Sequence, residues 1–348
     1  MASREPGPEA ARDHLDVAAL ARFMVANVDG FAGPLNVVPF TGGQSNPTFR
    51  LTAGNRNYVL RKKPEGELLP SAHAVDREYR VMAALAATGV PVPQMLAFCG
   101  DGAVIGTPFY IMECVEGRIF WDPTLPGLTP IERRAHFDEL NRVIAALHSI
   151  DYAAIGLDDF GRHGHYVARQ VARWSKQYAA AGIEPIPAMD RLLEWLPAHV
   201  PSDDETTIVH GDYRVDNVIF HPTEPRVLAV LDWELATLGH PLSDFAYHVM
   251  AWRLKPSEFR GIAGNDLRAL GIPSEQDYVE DYCRRTGRNS VPDFEFYLIF
   301  SMFRIAAILH GVLARARHGT AASQDAVDTG SRARLVADVA WTLAQRSG

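Results

Sequence analysis

The segment that decides the fold lies at residues 210–217 and reads HGDYRVDN. An apolar run, Val218–Phe220, follows it, and after the turn PTEP at 222–225 a second apolar run leads to Asp232. Two apolar runs on either side of a proline-flanked turn predict an antiparallel hairpin. Because a hairpin brings its open ends together, Asn217, before the first strand, and Asp232, after the second, are expected to be neighbours.

A third polar side chain is predicted to join this pair. Asp212 precedes Asn217 on the loop that leads to the same end of the hairpin. A carboxylate and an amide oxygen that converge suit a hard divalent cation such as Mg²⁺. A second carboxylate beside them could orient a hydroxyl group and accept its proton. The alternative, that Asp212 and Asn217 only cap turns, is disfavoured by the position of Asp232.

This arrangement resembles the catalytic core of the protein-kinase-like superfamily. Its form, H-G-D-x-x-x-x-N followed by L-D-W-E, resembles the aminoglycoside phosphotransferase and choline kinase branch in particular. The resemblance implies that Asp212 is the catalytic base and that Asn217 and Asp232 hold the metal. It also implies an α+β, protein-kinase-like two-lobe fold, with a small β-rich N-lobe and a larger, mostly helical C-lobe.

Three phrases indicate a closer likeness within this family. They are VLRKKP at 59–64, PVP at 91–93 and LDWELAT at 231–237. They resemble the kinase-like domain associated with acyl-CoA dehydrogenase family members. The likeness implies that the acceptor is a hydroxyacyl thioester, such as a hydroxyacyl-CoA, and not an aminoglycoside.

The predicted elements divide the chain into three parts. Residues 1–33 form an N-terminal extension with a helix, residues 34–114 an N-lobe of antiparallel sheet plus a helix, and residues 115–348 the C-lobe with the catalytic loop, the metal site and the acceptor pocket. Short β-prone runs punctuated by glycine turns indicate the sheet. An apolar stripe at helical spacing predicts a helix over 131–150. Further helices are predicted over 15–27 and around 75–85, and strands at 35–40, 48–52, 58–61, 94–98 and 108–114.

Small and polar residues in the N-lobe are candidates for nucleotide binding. Gly42, Gly43, Ser45 and Asn46 lie between two predicted strands. Small residues allow backbone N–H groups to approach phosphate oxygens, although an ordinary hairpin turn would have the same composition.

The N-lobe also carries a candidate ion pair. The strand YVLR ends at Arg61, where the resemblance implies a lysine, and Glu78 matches the family's helix glutamate that positions this cation. Alternation along the strand puts Lys63 on the same face, so the sequence leaves open whether Arg61 or Lys63 contacts phosphate. By resemblance, the edge backbone at Glu113 to Val115 would pair with adenine; the alternative is a strand that ends in a turn.

Two positions are expected to support the catalytic loop. The segment GHPLSDFAY at 239–247 resembles the family's G-D-P-x-x-D-L-A, with His240 in place of the first acid. Asp244 is then expected to hydrogen-bond the loop from below, while a helix N-cap is the competing interpretation. His210 is expected to be buried and to organise the loop.

The composition excludes several function classes. The 348 residues carry 34 Lys plus Arg and 42 Asp plus Glu, a formal charge of −8, which argues against nonspecific nucleic-acid binding. Three cysteines without a CxxC pair support neither a disulfide framework nor a zinc site, and scattered histidines do not support a metal hydrolase. The first residues lack the pattern of a signal peptide, and the apolar stretch Leu298–Leu313 is too short for a membrane span. We therefore expect a cytoplasmic protein without nucleic-acid or membrane partners.

Together these observations predict an ATP- and Mg²⁺-dependent phosphotransferase that moves the γ-phosphate to a hydroxyl of a small molecule. A nucleotide-binding pseudokinase or regulatory module is the alternative, and the exchange at Arg61 is its support. The sequence leaves open ATP versus GTP, the oligomeric state, and whether the acceptor is an aminoglycoside, a hydroxyacyl-CoA, a choline-like cation or another molecule.

Overall fold

The structure is a computed structural model, and it describes residues 15–40, 46–65, 74–318 and 326–347. The chain divides into two compact units. The first unit comprises Met1–Ala87 and Val92–Glu116, and the second comprises Thr88–Pro91 and Gly117–Gly348. The sequence analysis drew this boundary after residue 114.

The first unit is built on a five-stranded antiparallel sheet in the order β1-β2-β3-β5-β4. Its elements are α1 (Val17–Asn27), β1 (Asn36–Pro39), β2 (Thr48–Ala53), β3 (Arg56–Lys62), α2 (Val75–Leu85), β4 (Met95–Cys99) and β5 (Phe109–Glu113). Each of these elements confirms one that the sequence predicted, with bounds that differ by at most two residues.

Helix α1 belongs to the core of this unit, although the sequence placed it in a separate extension. Asp16 begins the helix by accepting a hydrogen bond from the N–H of Ala19. The buried side chains of Leu20 and Met24 then pack in one cluster with the inward residues of the sheet, such as Leu51. Burial of these side chains removes apolar surface from water, which is the dominant stabilising contribution.

The second unit is mostly helical and contains two antiparallel sheets of two strands each. Its strands are β6 (Thr207–Val209), β7 (Val218–Phe220), β8 (Val227–Val230) and β9 (Thr237–Gly239), in the pairs β6–β9 and β7–β8. Its helices are α3 (Pro130–His148), α4 (Tyr166–Ala179), α5 (Pro187–Ala198), α6 (Pro241–Val249), α7 (Pro256–Phe259), α8 (Leu267–Leu270), α9 (Glu275–Thr286), α10 (Phe294–Arg317), α11 (Ala326–Ser331) and α12 (Ala333–Ser347). The small sheet of the first unit and the helical second unit confirm the predicted protein-kinase-like fold class.

Helix α10 is the central helix of this unit. By length and composition alone this helix of 24 residues could cross a membrane, and among the described residues it is the one helix that meets this test. The sequence excluded such a span because the apolar stretch was too short, but the helix is longer than predicted. Since 78% of its most apolar window is buried inside the protein, it has the burial typical of a core helix.

Candidate functional site

The loop after β6 has a backbone conformation that requires glycine at one position. Gly211 has φ of +82°, a region that residues with a Cβ rarely adopt. A Cβ at this position would also lie 2.8 Å from the carbonyl oxygen of Leu235. The glycine therefore allows the chain to turn sharply just before Asp212.

Two buried side chains hold this loop in place. Asp244 of α6 accepts hydrogen bonds from the backbone N–H groups of His210 and Gly211, both at 2.8 Å, and lies 3.2 Å from His148 Nε2. The His210 ring accepts from the N–H of Asp212 at 3.1 Å, so its other nitrogen donates to the carbonyl oxygen of Leu231 at 2.9 Å. The expected supporting roles of Asp244 and His210 are confirmed.

The competing interpretation of Asp244 as a helix N-cap is wrong. His240 takes that position, because its Nδ1 accepts from the N–H of Leu242 at 3.2 Å. Burial lowers the pKa of the His240 imidazole, and the nearby Asp203 carboxylate opposes this only in part. A neutral ring with an acceptor nitrogen is the form that can cap a helix.

Four donor atoms surround the Asp212 carboxylate, which is partly buried. Its Oδ1 accepts from the hydroxyl of Tyr247 at 2.5 Å and lies 3.0 Å from Arg214 Nε. Its Oδ2 accepts from Arg214 and from Asn217 Nδ2, each at 3.1 Å. These contacts fix the direction of the carboxylate.

The predicted hairpin holds Asn217 and the residue before Asp232 side by side. Val218 pairs with Val230, and the N–H of Leu231 donates to the carbonyl oxygen of Asn217 at 2.8 Å. Asp232 follows in the left-handed region, with φ of +65°, which is uncommon for a residue other than glycine. Such conformations cluster at functional sites.

The donor set at this end of the hairpin fits a magnesium ion. Asn217 Nδ2 donates to the carbonyl oxygen and the carboxylate of Asp212, so its Oδ1 remains as an oxygen ligand. Asp232 supplies a carboxylate. Within the described ranges no group of three or more His, Cys, Asp or Glu side chains could hold a metal, and Mg²⁺ typically uses one or two carboxylates together with substrate phosphates.

In the first unit, three donors converge on the buried carboxylate of Glu78. Arg61 Nε lies 2.8 Å from Glu78 Oε2, Asn46 Nδ2 donates to Oε1 at 2.7 Å, and the hydroxyl of Tyr110 donates to Oε2 at 2.9 Å. The Glu78 side chain is only 2% exposed. The predicted Arg61–Glu78 pair is thus present, and Asn46 is bound to the same carboxylate.

The neighbouring lysines lie in different surroundings. The side chain of Lys62 is 1% exposed and its Nζ lies 3.0 Å from Glu65 Oε1. Lys63 is partly buried, and its backbone N–H donates to the carbonyl oxygen of Pro108 at 2.9 Å. The geometry places Arg61, and not Lys63, against the helix carboxylate.

The remaining predicted nucleotide contacts are only partly described. Gly42, Gly43 and Ser45 lie outside the described residues. The N–H of Glu113 donates to the carbonyl oxygen of Gln94 at 2.9 Å, so this amide is already used within the sheet. Val115 forms no main-chain hydrogen bond within the part of the chain that the structure describes, and its backbone can therefore pair with a ligand.

Sequence reasoning missed three side chains that contact the Asp212 loop. Arg214 pairs with Asp212 and lies 3.5 Å from Asp216, while Tyr247 and Arg304 reach the loop from α6 and α10. Burial opposes the charge of Arg214, but the carboxylates of Asp212 and Asp216 outweigh it and raise its pKa. Arg214 lies within the HGDYRVDN motif at 210–217, and this position could have indicated its contact with Asp212.

A cavity of about 40 Å³ lies beside this cluster in the second unit. Arg214, Asp216, Tyr247 and Arg260 contribute its polar groups, and Arg260 forms an ion pair with Asp216. The other walls are mainly apolar or aromatic: Trp121, Pro123, Phe137, Leu140, Val215, Met250, Ala251, Trp252, Phe259 and Ile262, with His248 among them.

The fold and this loop define a protein-kinase-like phosphotransferase domain. A family model described as "Phosphotransferase enzyme family" matches residues 36–278, and the chain belongs to this family. A putative aminoglycoside phosphotransferase from Ralstonia eutropha, known from a crystal structure, is 56% identical with a TM-score of 0.88, over 95% of this chain and 99% of that one.

Two further comparisons place the chain within this family. It is 50% identical over 319 residues to acyl-CoA dehydrogenase family member 10 of Mus musculus, which confirms the predicted likeness. That match covers 91% of this chain but 30% of the relative, so the chain spans about a third of the relative's length. The chain also shares its fold with a thermostable mutant of aminoglycoside phosphotransferase APH(4)-Ia, which was solved in a ternary complex with ADP and hygromycin B. The two are 16% identical with a TM-score of 0.58, over 92% of this chain and 98% of that one.

Proposed function

We propose that this protein is an ATP- and Mg²⁺-dependent phosphotransferase that moves the γ-phosphate to a hydroxyl of a small molecule. The observation that carries the proposal is the Asp212 carboxylate, which hydrogen-bond donors hold in place, with Asn217 bound to it at 3.1 Å. A solved protein of the same fold, APH(4)-Ia, binds ADP, which supports an adenine nucleotide. The donors Asn217 and Asp232 support a magnesium ion.

In this mechanism Asp212 aligns the acceptor hydroxyl and takes its proton. Phosphoryl transfer has a loose transition state that asks mainly for positioning and charge neutralisation. Asn217 Oδ1 and the Asp232 carboxylate would hold the metal, which supplies positive charge to the nucleotide phosphates. The proton of the acceptor hydroxyl moves to Asp212 late, when the new bond to phosphorus makes that hydroxyl acidic.

Arg61 would neutralise further phosphate charge. Its guanidinium can bind phosphate oxygens in a bidentate manner, and its pairing with Glu78 at 2.8 Å fixes its direction. The exchange of lysine for arginine at this position therefore preserves both the cation and its carboxylate partner, which supports catalysis over a pseudokinase.

For the acceptor, we propose a hydroxyacyl thioester. The match to acyl-CoA dehydrogenase family member 10 supports this class. The cavity beside Asp212 has mainly apolar walls and carries the guanidinium groups of Arg214 and Arg260. Aminoglycosides are polycations, and in this region they would have to displace guanidinium groups that are already paired with the carboxylates of Asp212 and Asp216.

The test is a transfer assay with three acceptors of different charge. The protein is incubated with ATP, MgCl₂ and 3-hydroxybutyryl-CoA, hygromycin B or choline, and phosphorylated product is measured by mass spectrometry. We expect transfer to the thioester, and loss of transfer when EDTA removes the metal. Transfer to hygromycin B or choline instead would overturn the acceptor class.

Two variants test the role of Asp212. Asp212→Asn removes the base, so we expect kcat to fall by about 100-fold or more, while a thermal shift with Mg-ADP is retained. Asp266→Asn, a carboxylate that only caps α8, is expected to keep full activity. Nucleotide binding by the wild type without transfer to any acceptor would instead favour the pseudokinase.

A further inference from the structure

Three buried side chains from three helices form a stack beneath the Asp212 loop. The guanidinium of Arg304 (α10) lies 5.4 Å from the ring centre of Trp174 (α4) and 4.9 Å from that of Tyr247 (α6). Arg304 also donates to the carbonyl oxygen of Gly211 at 2.5 Å. Cation–π contacts of this kind strengthen when the groups are removed from water. The stack therefore fixes both the peptide before Asp212 and the ring of Tyr247.

The hydroxyl of Tyr247 has a single partner among the described residues. It donates to Asp212 Oδ1 at 2.5 Å. Burial and the Asp212 charge raise the pKa of Tyr247, so this phenol remains a donor at every physiological pH. No other carboxylate of the described residues accepts from this hydroxyl.

Arg214, which also contacts the Asp212 carboxylate, is placed differently. It divides its guanidinium between Asp212 and Asp216, and Asp216 is shared with Arg260. A carboxylate offers about four acceptor positions, and hydrogen bonds from Tyr247, Asn217 and Arg214 occupy three of them. Of these three donors, Arg214 is the one that has a second carboxylate to bind, so it is the donor that can give way to an acceptor hydroxyl.

We propose that Tyr247 is a positioning residue for phosphotransfer, which acts through Asp212 by fixing the direction of its carboxylate while Arg214 gives way to the acceptor. This inference rests on the proposed function. Orientation of the base matters because misplacement of a reacting group by about 1 Å can cost about 100-fold in rate. Tyr247 and Asn217, one on each oxygen, together define the plane of the carboxylate.

The variant Tyr247→Phe tests this role, because it keeps the ring against Arg304 and removes only the hydroxyl. The assay is ATP hydrolysis with water as acceptor, measured against Mg-ATP concentration. We expect kcat to fall about tenfold while KM for Mg-ATP stays within about twofold. This split between kcat and KM is the readout of positioning, because a loss of structure at the site would change both constants.

Tyr178→Phe is the matched control. Its hydroxyl accepts from the backbone N–H of Ile186 at 2.7 Å and has no contact with Asp212, so kcat and KM should remain unchanged. Thermal denaturation measures the fraction of each variant that is folded, so kcat is compared per folded molecule.

The outcomes separate this inference from the proposed function. A wild-type kcat in Tyr247→Phe, or a change in KM as large as the change in kcat, would overturn the inference and leave the phosphotransferase intact. An equal loss in Tyr178→Phe would also overturn it, since the effect would then be general. A wild type that hydrolyses no ATP and phosphorylates no acceptor would overturn both.

Discussion

Replacement of Asp244 by asparagine tests how the fold holds the loop that carries Asp212. The change keeps the size of the side chain but turns one carboxylate oxygen into an NH₂ group, which cannot accept a hydrogen bond. Asp244 is 3% exposed, and its two oxygens accept from the N–H groups of His210 and Gly211, each at 2.8 Å. In the variant one of these buried amides faces a donor in place of an acceptor.

The expected loss is large. A hydrogen bond to a charged group contributes about 1.5–3 kcal/mol, and a buried donor without a partner costs about 1–3 kcal/mol. We therefore expect Asp244→Asn to lower the free energy of unfolding by about 3 kcal/mol. A helix cap would behave differently, because asparagine and aspartate are about equally good N-caps.

Urea denaturation at pH 7 measures this loss. The control is Asp266→Asn, whose side chain caps α8 by accepting from the N–H of Ala269 at 3.0 Å, and we expect a change below about 0.5 kcal/mol there. If Asp244→Asn changed the stability no more than this control, the loop-holding role of Asp244 would be refuted.

The pH dependence gives the same test a second readout. Burial by itself raises the pKa of Asp244, but the hydrogen bonds from His148 and from the His210 amide outweigh it and hold the pKa below the ordinary value of 3.8. A depressed carboxyl pKa gives stability that is present above the unfolded pKa and lost as the pH falls through the folded one. The difference between wild type and variant should thus be constant from pH 7 to about pH 4 and shrink below it.

Two further stability predictions follow from the same region. Gly211→Ala introduces a Cβ at φ of +82° and 2.8 Å from the carbonyl oxygen of Leu235, whereas Gly287→Ala, at φ of +70°, meets nothing within 4 Å. Urea denaturation should show that Gly211→Ala lowers the free energy of unfolding by about 1 kcal/mol or more beyond the loss in Gly287→Ala. Equal losses in the two variants would contradict the crowding at Gly211. Burial lowers the pKa of His248 from 6.5 to about 4, so the unfolded state binds its proton first and stability falls by about 2 kcal/mol between pH 7 and pH 5. His248→Gln should reduce this slope in urea titrations, and an unchanged slope would show that other groups cause it.

The sequence pattern predicted those elements whose contacts are formed between residues close together in the chain. The hairpin of β7 and β8 could be predicted because two apolar runs flank a turn, and pairing of Val218 with Val230 confirms it. The ladder of β6 and β9 was not predicted, since each strand has three residues and a long stretch of chain separates them. So short a strand shows no periodicity, and its pairing depends on the loop that Asp244 holds.

The side chains of the candidate site also differ in how far the sequence could predict them. Asp212 and Asn217 lie within one motif, so their contact at 3.1 Å follows from a short loop. Tyr247 and Arg304 reach that loop from residues 35 and 93 positions away from their partners. Nothing local to α6 or α10 in the sequence distinguishes a side chain that only packs from one that also donates to the Asp212 loop.

The net charge of the chain says nothing about the charge that an acceptor meets. Of the 42 acidic side chains, Asp212 and Asp216 lie at the cavity region, and the guanidinium groups of Arg214 and Arg260 offset both. Exposed charges further than about 10 Å away are largely screened in salt. Under the proposed function these four groups set the charge that an acceptor meets beside Asp212, and an approaching polycation would have to displace guanidinium groups already paired with the carboxylates.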